Sequence, residues 1–402
     1  MPITVTDVKV FTTAPRRANL IVVKLETSEP GLYGLGCATF TQRHTLIPLA
    51  VVDYLKDRMI GRKVDDIEGT WHTLYTDSYW RNGPVLNNAI SGVDEALWDI
   101  KGKIAGMPVY NLIGGKCREA AAVYRHAQGE DYEDLKQKVQ AYLDEGIRYI
   151  RVQMGGYGGN MADGQRIISP ENALPGSYYD PKQYMRATVE MFRRLREDFG
   201  YTVEFCHDTH ERLVPIDALQ LAKDLEPYKP FFLEDALPPD QVDWFRYLRE
   251  QTSVPLAMGE LFSNQMEWLN LIRNRYIDYI RCHLSDIGGF TPALKLAKLC
   301  EAFGVRTAWH GPGDLTPIGA AAQLHLDLHC YNFGIQEFAG FSDEEREVFP
   351  GAPVMKNGYL YANDRPGWGV DFDEKAAAEY PAAIDPRIWT NSRYTDGTPA
   401  RP

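Results

Sequence analysis

No apolar run in the 402-residue sequence approaches the roughly 18 residues that a bilayer-crossing helix needs, so a membrane protein is not expected. The N-terminus, MPITVTDVKVFTT, lacks a basic region followed by an apolar stretch and a small-residue cleavage site. A cytoplasmic location is the expectation. The six cysteines, at 37, 117, 206, 282, 300 and 330, form no CxxC or zinc-like spacing, which argues against a disulfide framework or a zinc module. They read as reduced thiols, mostly in the core. Cations are the scarcer charge: 43 Lys and Arg face 55 Asp and Glu, for a net charge of −12. That balance speaks against a broad nucleic-acid surface. An anionic small molecule remains compatible, provided that a local cation receives it, and a bound divalent metal is one such cation.

The sequence does have the length for about two domains and the apolar content of a globular protein. VTDVKVFTT and NLIVVKLETSEPGLYGLGCATF alternate and carry turn residues, which predicts antiparallel strands. A helical pattern follows, clearest in LNNAISGVDEALWDIKGKIAG. Residues 1–118 are therefore expected to form an α+β domain. After Gly114 and Gly115, short apolar strands alternate with helices: AAVYRHA, YIRVQ, VEFCHD, FFLED, PLAMGE, DYIRCHLS, VRTAWHG and FGIQEF. Eight βα-like units predict a parallel barrel over 119–340. Residues 341–402 are expected to pack back on the first domain. One connection is unusually long and rich in Gly, Pro and Asn, and it predicts a lid over about 155–180.

Three of these strands end in a carboxylate, Asp208, Glu234 and Glu260, spaced 26 positions apart. On consecutive barrel strands they would stand side by side at the C-terminal rim. Like charges so placed repel one another unless a cation neutralises them. An all-oxygen set favours Mg²⁺. Asp235 is expected to point the other way, by strand alternation. His210, two residues past Asp208, and His310, ending the seventh strand, are candidates for proton transfer. His126 ends the first strand and His283 lies on the sixth. Arg151 and Gln153 share a face of the second strand. Glu337 faces the same mouth from the eighth, and Asp314 is placed to orient a neighbour. His207, His325 and His329 read as core or surface residues.

The motifs YWRNGPV (79–85), DEALWDIKGKIAGMPVYNLIGG (94–115), RVQ (151–153), HDTH (207–210), LED (233–235), GE (259–260), HGPGDLTP (310–317) and NFGIQE (332–337) together resemble the enolase superfamily. The branch is that of mandelate racemase and muconate lactonizing enzyme. The chain looks most like the mannonate dehydratase subgroup, which includes starvation-sensing-type proteins. The resemblance covers nearly the full length. It implies an α/β fold: an N-terminal α+β capping domain followed by a modified (β/α)8 TIM barrel. It implies Mg²⁺ held by Asp208, Glu234 and Glu260, His210 as the acid that helps the 3-hydroxyl leave, and Arg151 as half of a base dyad. His126, His310, Asp314 and Glu337 would contact substrate. The tyrosine that completes the dyad has no match at the family's spacing; Asp163 stands near it and Tyr157 is nearer to Arg151. Tyr157 is carried as a catalytic candidate, and the identity of the base stays open. Thr41 aligns with a substrate-contacting asparagine, and Pro312 resembles subgroup members with weak or gluconate-directed activity. The base lysines of other branches are missing from YIRVQ and YIRCHLS.

The leading expectation is an acid-sugar dehydratase (hydro-lyase) acting on a D-mannonate or D-gluconate type of substrate, in a homo-oligomer. Two alternatives stay open: an acid-sugar epimerase or racemase using His310 on one face of C2, and a metal-binding regulatory homologue with little turnover.

Overall fold

The structure is a computed structural model, and it describes residues 2–16, 18–155, 170–174, 177–384 and 392–401. By contact pattern these residues form two units. The first comprises 1–122, 260–268 and 282–385; the second comprises 123–259, 269–281 and 386–402.

In the first unit, β1 (Val5–Thr13), β2 (Leu20–Thr27) and β3 (Tyr33–Cys37) form an antiparallel sheet in that order. The long helix α1 (Pro84–Ala105) packs on it. The sequence of β3 explains the closeness of that contact. A Cβ at Gly34 would lie 2.0 Å from Ala96 O, and one at Gly36 would lie 2.1 Å from Gly92 O, so only glycine fits either position. The buried acids of DEALWD are used for the same purpose. Asp99 Oδ2 accepts from Leu35 N at 3.0 Å and Glu95 Oε2 accepts from Cys37 N at 2.8 Å. Residues i and i+4 of a helix match residues i and i+2 of a strand in spacing, so one helix face satisfies the outward N–H groups of an edge strand.

The second unit holds most of a parallel sheet. Its strands are β4 (Ala121–Gly129, from Val123), β5 (Tyr149–Met154), β7 (Glu204–Asp208), β8 (Leu233–Glu234), β9 (Leu256–Met258) and β10 (Tyr279–Ile280). They pair in that order, each parallel to the next. The short strand β6 (Ser177–Tyr179) precedes α2 (Pro181–Phe199) and lies outside this sheet. The last two strands of the eightfold series, β11 (Arg306–Thr307) and β12 (Gln336–Glu337), belong to the first unit. So do α3 (Phe290–Phe303), α4 (Pro317–His329) and the antiparallel pair β13 (Val354–Lys356) and β14 (Tyr359–Tyr361). All eight strands read from the sequence are present.

The C-terminal stretch is divided. Residues up to 385 cluster with the first unit, where Thr13 Oγ1 donates to Ala377 O at 3.0 Å. Residues 392–401 cluster with the second, where the last strand, β15 (Ser392–Tyr394), runs parallel to β6. Among the described residues, no helix is long and apolar enough to cross a membrane. Most of the connection expected to be a lid, including Tyr157 and Asp163, lies outside the described residues.

Candidate metal and proton-transfer site

The second unit gathers charge at the ends of β7 and β8. Asp208 and Glu234, the last residues of those strands, are paired in register and fully buried. Together with Asp235 they offer carboxylate oxygens that all lie within 4.8 Å of one another. Asp235 was expected to turn away. The alternation behind that expectation holds only while the backbone stays extended, and Asp235 has left it, at φ 41°. His210 departs for the same reason. At φ 51° it does not continue the strand; instead its N–H donates to Asp208 Oδ1 at 2.7 Å. Glu211 is left-handed as well, at φ 55°. Left-handed non-glycine residues each cost on the order of 1 kcal/mol, and here three of them follow the two acidic strand ends.

Two buried arginines face these acids. Arg151 Nη1, from β5, lies 3.0 Å from Asp208 Oδ2 and 3.1 Å from Glu234 Oε1. Arg281, fully buried just past β10, places Nη2 2.8 Å from Glu234 Oε1 and Nη1 2.7 Å from Asp235 Oδ2. Tyr124 donates its hydroxyl to Glu234 Oε2 at 3.3 Å, and Gly259 N donates to Asp235 Oδ1 at 3.0 Å. Among the described residues, three carboxylates thus face two guanidinium groups. The donor set is all oxygen, which suits a hard divalent cation. The oxygens shared by Arg151 Nη1 already hold a positive group, so a small cation and that nitrogen compete for one position. Gln153 Oε1, on the same strand as Arg151, is buried with no hydrogen-bond partner, as expected of an acceptor that serves a ligand. His126 pairs in register with Arg151, and its ring lies 5.9 Å from that of Tyr124.

The first unit holds the other candidates. Glu260, two residues past β9, has its carboxylate 3.5 Å from His310 Nε2. His310 Nδ1 in turn lies 3.0 Å from His283 Nδ1. One proton must stand between those two atoms, so the two rings are linked and only one can donate at a time. Asp286 lies in the field of both histidines; burial raises its carboxyl above the ordinary range, and Asn88 Nδ2 donates to it at 2.5 Å. Glu337 is buried and accepts from Gly311 N at 3.1 Å. Asp314 Oδ1 is buried without a hydrogen-bond partner. Thr41 opens a short 3-10 turn and donates its hydroxyl to Gln42 Oε1 at 2.8 Å. His207 is a satisfied core residue: its ring nitrogens meet Tyr184 Oη at 2.7 Å and Val152 O at 2.8 Å, and burial pushes its pKa down to about 4.

Sequence reasoning missed Arg281 and Tyr124. The available signal was the arginine inside the apolar stretch DYIRCHLS, since a buried cation needs an acid beside it.

Comparison with known proteins divides the chain in sequence order, with the second match running through both units. Residues 2–114 match the mandelate racemase/muconate lactonizing enzyme N-terminal domain, and residues 134–376 match the enolase C-terminal domain-like family. A D-galactonate dehydratase family member from Enterocloster bolteae is 58% identical, covering 100% of this chain and 99% of the relative. Another from Enterococcus gallinarum is 53% identical over 98% of both chains. The crystal structure of an enolase from Pantoea ananatis with bound D-gluconate and Mg has a TM-score of 0.97 and 50% identity, covering 100% of both chains. The eight-strand series after an α+β domain, the acids at the ends of successive strands and these full-length likenesses agree: the chain belongs to the enolase superfamily, within its D-galactonate dehydratase family.

Proposed function

We propose that the protein is a Mg²⁺-dependent acid-sugar dehydratase. The observation that carries this reading is the buried group of Asp208, Glu234 and Asp235, whose carboxylate oxygens lie within 4.8 Å of one another, with Arg151 across two of its acids. Asp208 and Glu234 would hold the ion together with Glu260, the next strand-end acid in the regular series. The bound ion would neutralise the sugar carboxylate and favour the charge that develops when the α-proton leaves. Arg151 belongs to the base side, with Tyr157 as the candidate partner, and His310 is the second proton-transfer residue, placed to act at C2 while His210 acts on the hydroxyl. His210 protonates the departing 3-hydroxyl, and its backbone bond to Asp208 holds it beside the acid that anchors the substrate end. The enol then tautomerises to a 2-keto-3-deoxy acid. Gln153, His126, Thr41, Asp314 and Glu337 are the proposed sugar contacts. A gluconate-type sugar acid is favoured, because the Pantoea ananatis relative binds D-gluconate.

Epimerisation is the second reading. The His283–His310 pair favours it, since it supplies a linked proton carrier separate from His210. A library of acid sugars, assayed for 2-keto-3-deoxy products with Mg²⁺ and with chelator, tests both. Dehydration requires a product that appears only with metal, and a His210→Asn enzyme slowed about 10²–10⁴-fold. Solvent deuterium at C2 without loss of water would establish epimerisation instead.

A further inference from the structure

Two buried amides lie against the backbone of Trp309 and His310. Gln323, on α4, and Gln336, the first residue of β12, are 1% and 2% exposed. Gln323 Nε2 donates to His310 O at 2.6 Å. Gln336 Nε2 lies 2.9 Å from Gln323 Oε1, 3.2 Å from Trp309 O and 2.8 Å from Glu337 O. Three acceptors around one atom identify it as the nitrogen, because the reversed amide would set oxygen against three oxygens. Gly311 leaves the pair its space. A Cβ there would meet Gln323 Oε1 at 2.7 Å and Gln336 Nε2 at 3.1 Å.

The arrangement is not the cheapest way to fill this volume. Gln336 Oε1 is buried with no hydrogen-bond partner, a cost that an apolar side chain would avoid. What the amides do provide is direction. They hold the carbonyls of Trp309 and His310, two consecutive residues, while Gly311 N is held by Glu337 Oε2. Three successive residues are thus fixed through their backbones, and the central one carries the ring that meets His283.

We infer that Gln323 and Gln336 are positioning residues: the amide pair clamps the backbone of residues 309–311 and sets the angle at which the His310 ring meets His283. The orientation itself is independent of the proposed function, and only its effect on rate rests on that reading. The test is an NMR measurement on the full chain with ¹⁵N-labelled histidine. The imidazole N–H shared by His283 and His310 is assigned by its loss in His283→Phe. Wild type should show this proton protected from solvent. Gln323→Met, which keeps the volume and removes the donor, should exchange it at least about tenfold faster, with the cooperative unfolding transition retained. Gln336→Leu and Gly311→Ala should act in the same direction, and they decide the matter if Gln323→Met does not fold. On an acid sugar that wild type dehydrates, Gln323→Met should lower kcat by about 10²-fold with KM unchanged, as expected for a misaimed group. An unchanged protected N–H in the folded variants would overturn the inference, as would a rise in KM with kcat intact. If no acid sugar is turned over by wild type, the proposed function fails, and the N–H measurement still decides whether the clamp exists.

Discussion

The chain buries two groups of three acids and treats them in opposite ways. On α1, Asp94, Glu95 and Asp99 all receive backbone N–H groups: Thr291 N reaches Asp94 at 2.8 Å, Cys37 N reaches Glu95 at 2.8 Å, and Leu35 N and Trp368 N reach Asp99 at 3.0 and 2.9 Å, with the Thr291 hydroxyl added at Asp94 and Lys103 Nζ at 2.7 Å from Asp99. At the ends of β7 and β8, Asp208, Glu234 and Asp235 are faced mainly by the side chains of Arg151 and Arg281. Backbone donors are fixed by the fold and have no other position to take, so the first group is mortar between helix and sheet. A guanidinium on a flexible stem can yield its place to another cation. Burial alone therefore does not mark a functional acid. The identity of the partner, and the left-handed backbone beside it, separate the two groups.

The largest effect expected from this contrast is at Glu234. Glu234→Gln should lower turnover by at least about 10²–10³-fold through lost electrostatic stabilisation. The cooperative fold should be retained, because glutamine keeps the side-chain size and can still accept from Arg151 and Arg281. Activity and urea unfolding measured on the same preparation check both halves. Retained turnover at saturating Mg²⁺ would remove the distinction between the two groups.

Glu95→Gln should do the reverse: turnover is retained and the pH dependence of stability changes. Burial raises Glu95 to about 8 and Asp94 to about 7. A carboxyl raised on folding binds its proton more tightly in the native state, so stability falls as pH rises from the unfolded value towards the folded one. Between pH 7 and 8 the Glu95 contribution is still changing, at up to about 1.4 kcal/mol per pH unit for one proton. Urea unfolding across pH 6–9 should show that slope in wild type and a flatter profile in Glu95→Gln. Equal slopes would show that Glu95 is ionised in the folded protein throughout.

The same contrast shows what the sequence could reveal. Strand ends were legible because parallel strands read as short apolar runs, and an acid closing each run is conspicuous; Asp208 and Glu234 were found in that way. The directions of Asp235 and His210 were not legible, because alternation fails once the backbone turns left-handed after the strand. Arg281 was hidden within an apolar stretch. The buried acids of DEALWD look, in the sequence, like the polar face of an amphipathic helix, and only the two glycines of β3 hint at how closely that face is packed. The pairing of Ser392–Tyr394 with Ser177–Tyr179 joins segments too far apart in the chain for local pattern to connect them.

The central claim is that the acids at the strand ends form a Mg²⁺ site. A crystal structure of the protein with Mg²⁺ and D-gluconate tests it most directly. The account predicts an ion with oxygens of Asp208, Glu234 and Glu260 about 2.0–2.1 Å away, and Arg151 Nη1 withdrawn from the two oxygens it shares here. An ion bound elsewhere, with Arg151 Nη1 still between Asp208 and Glu234 at saturating Mg²⁺, would contradict it.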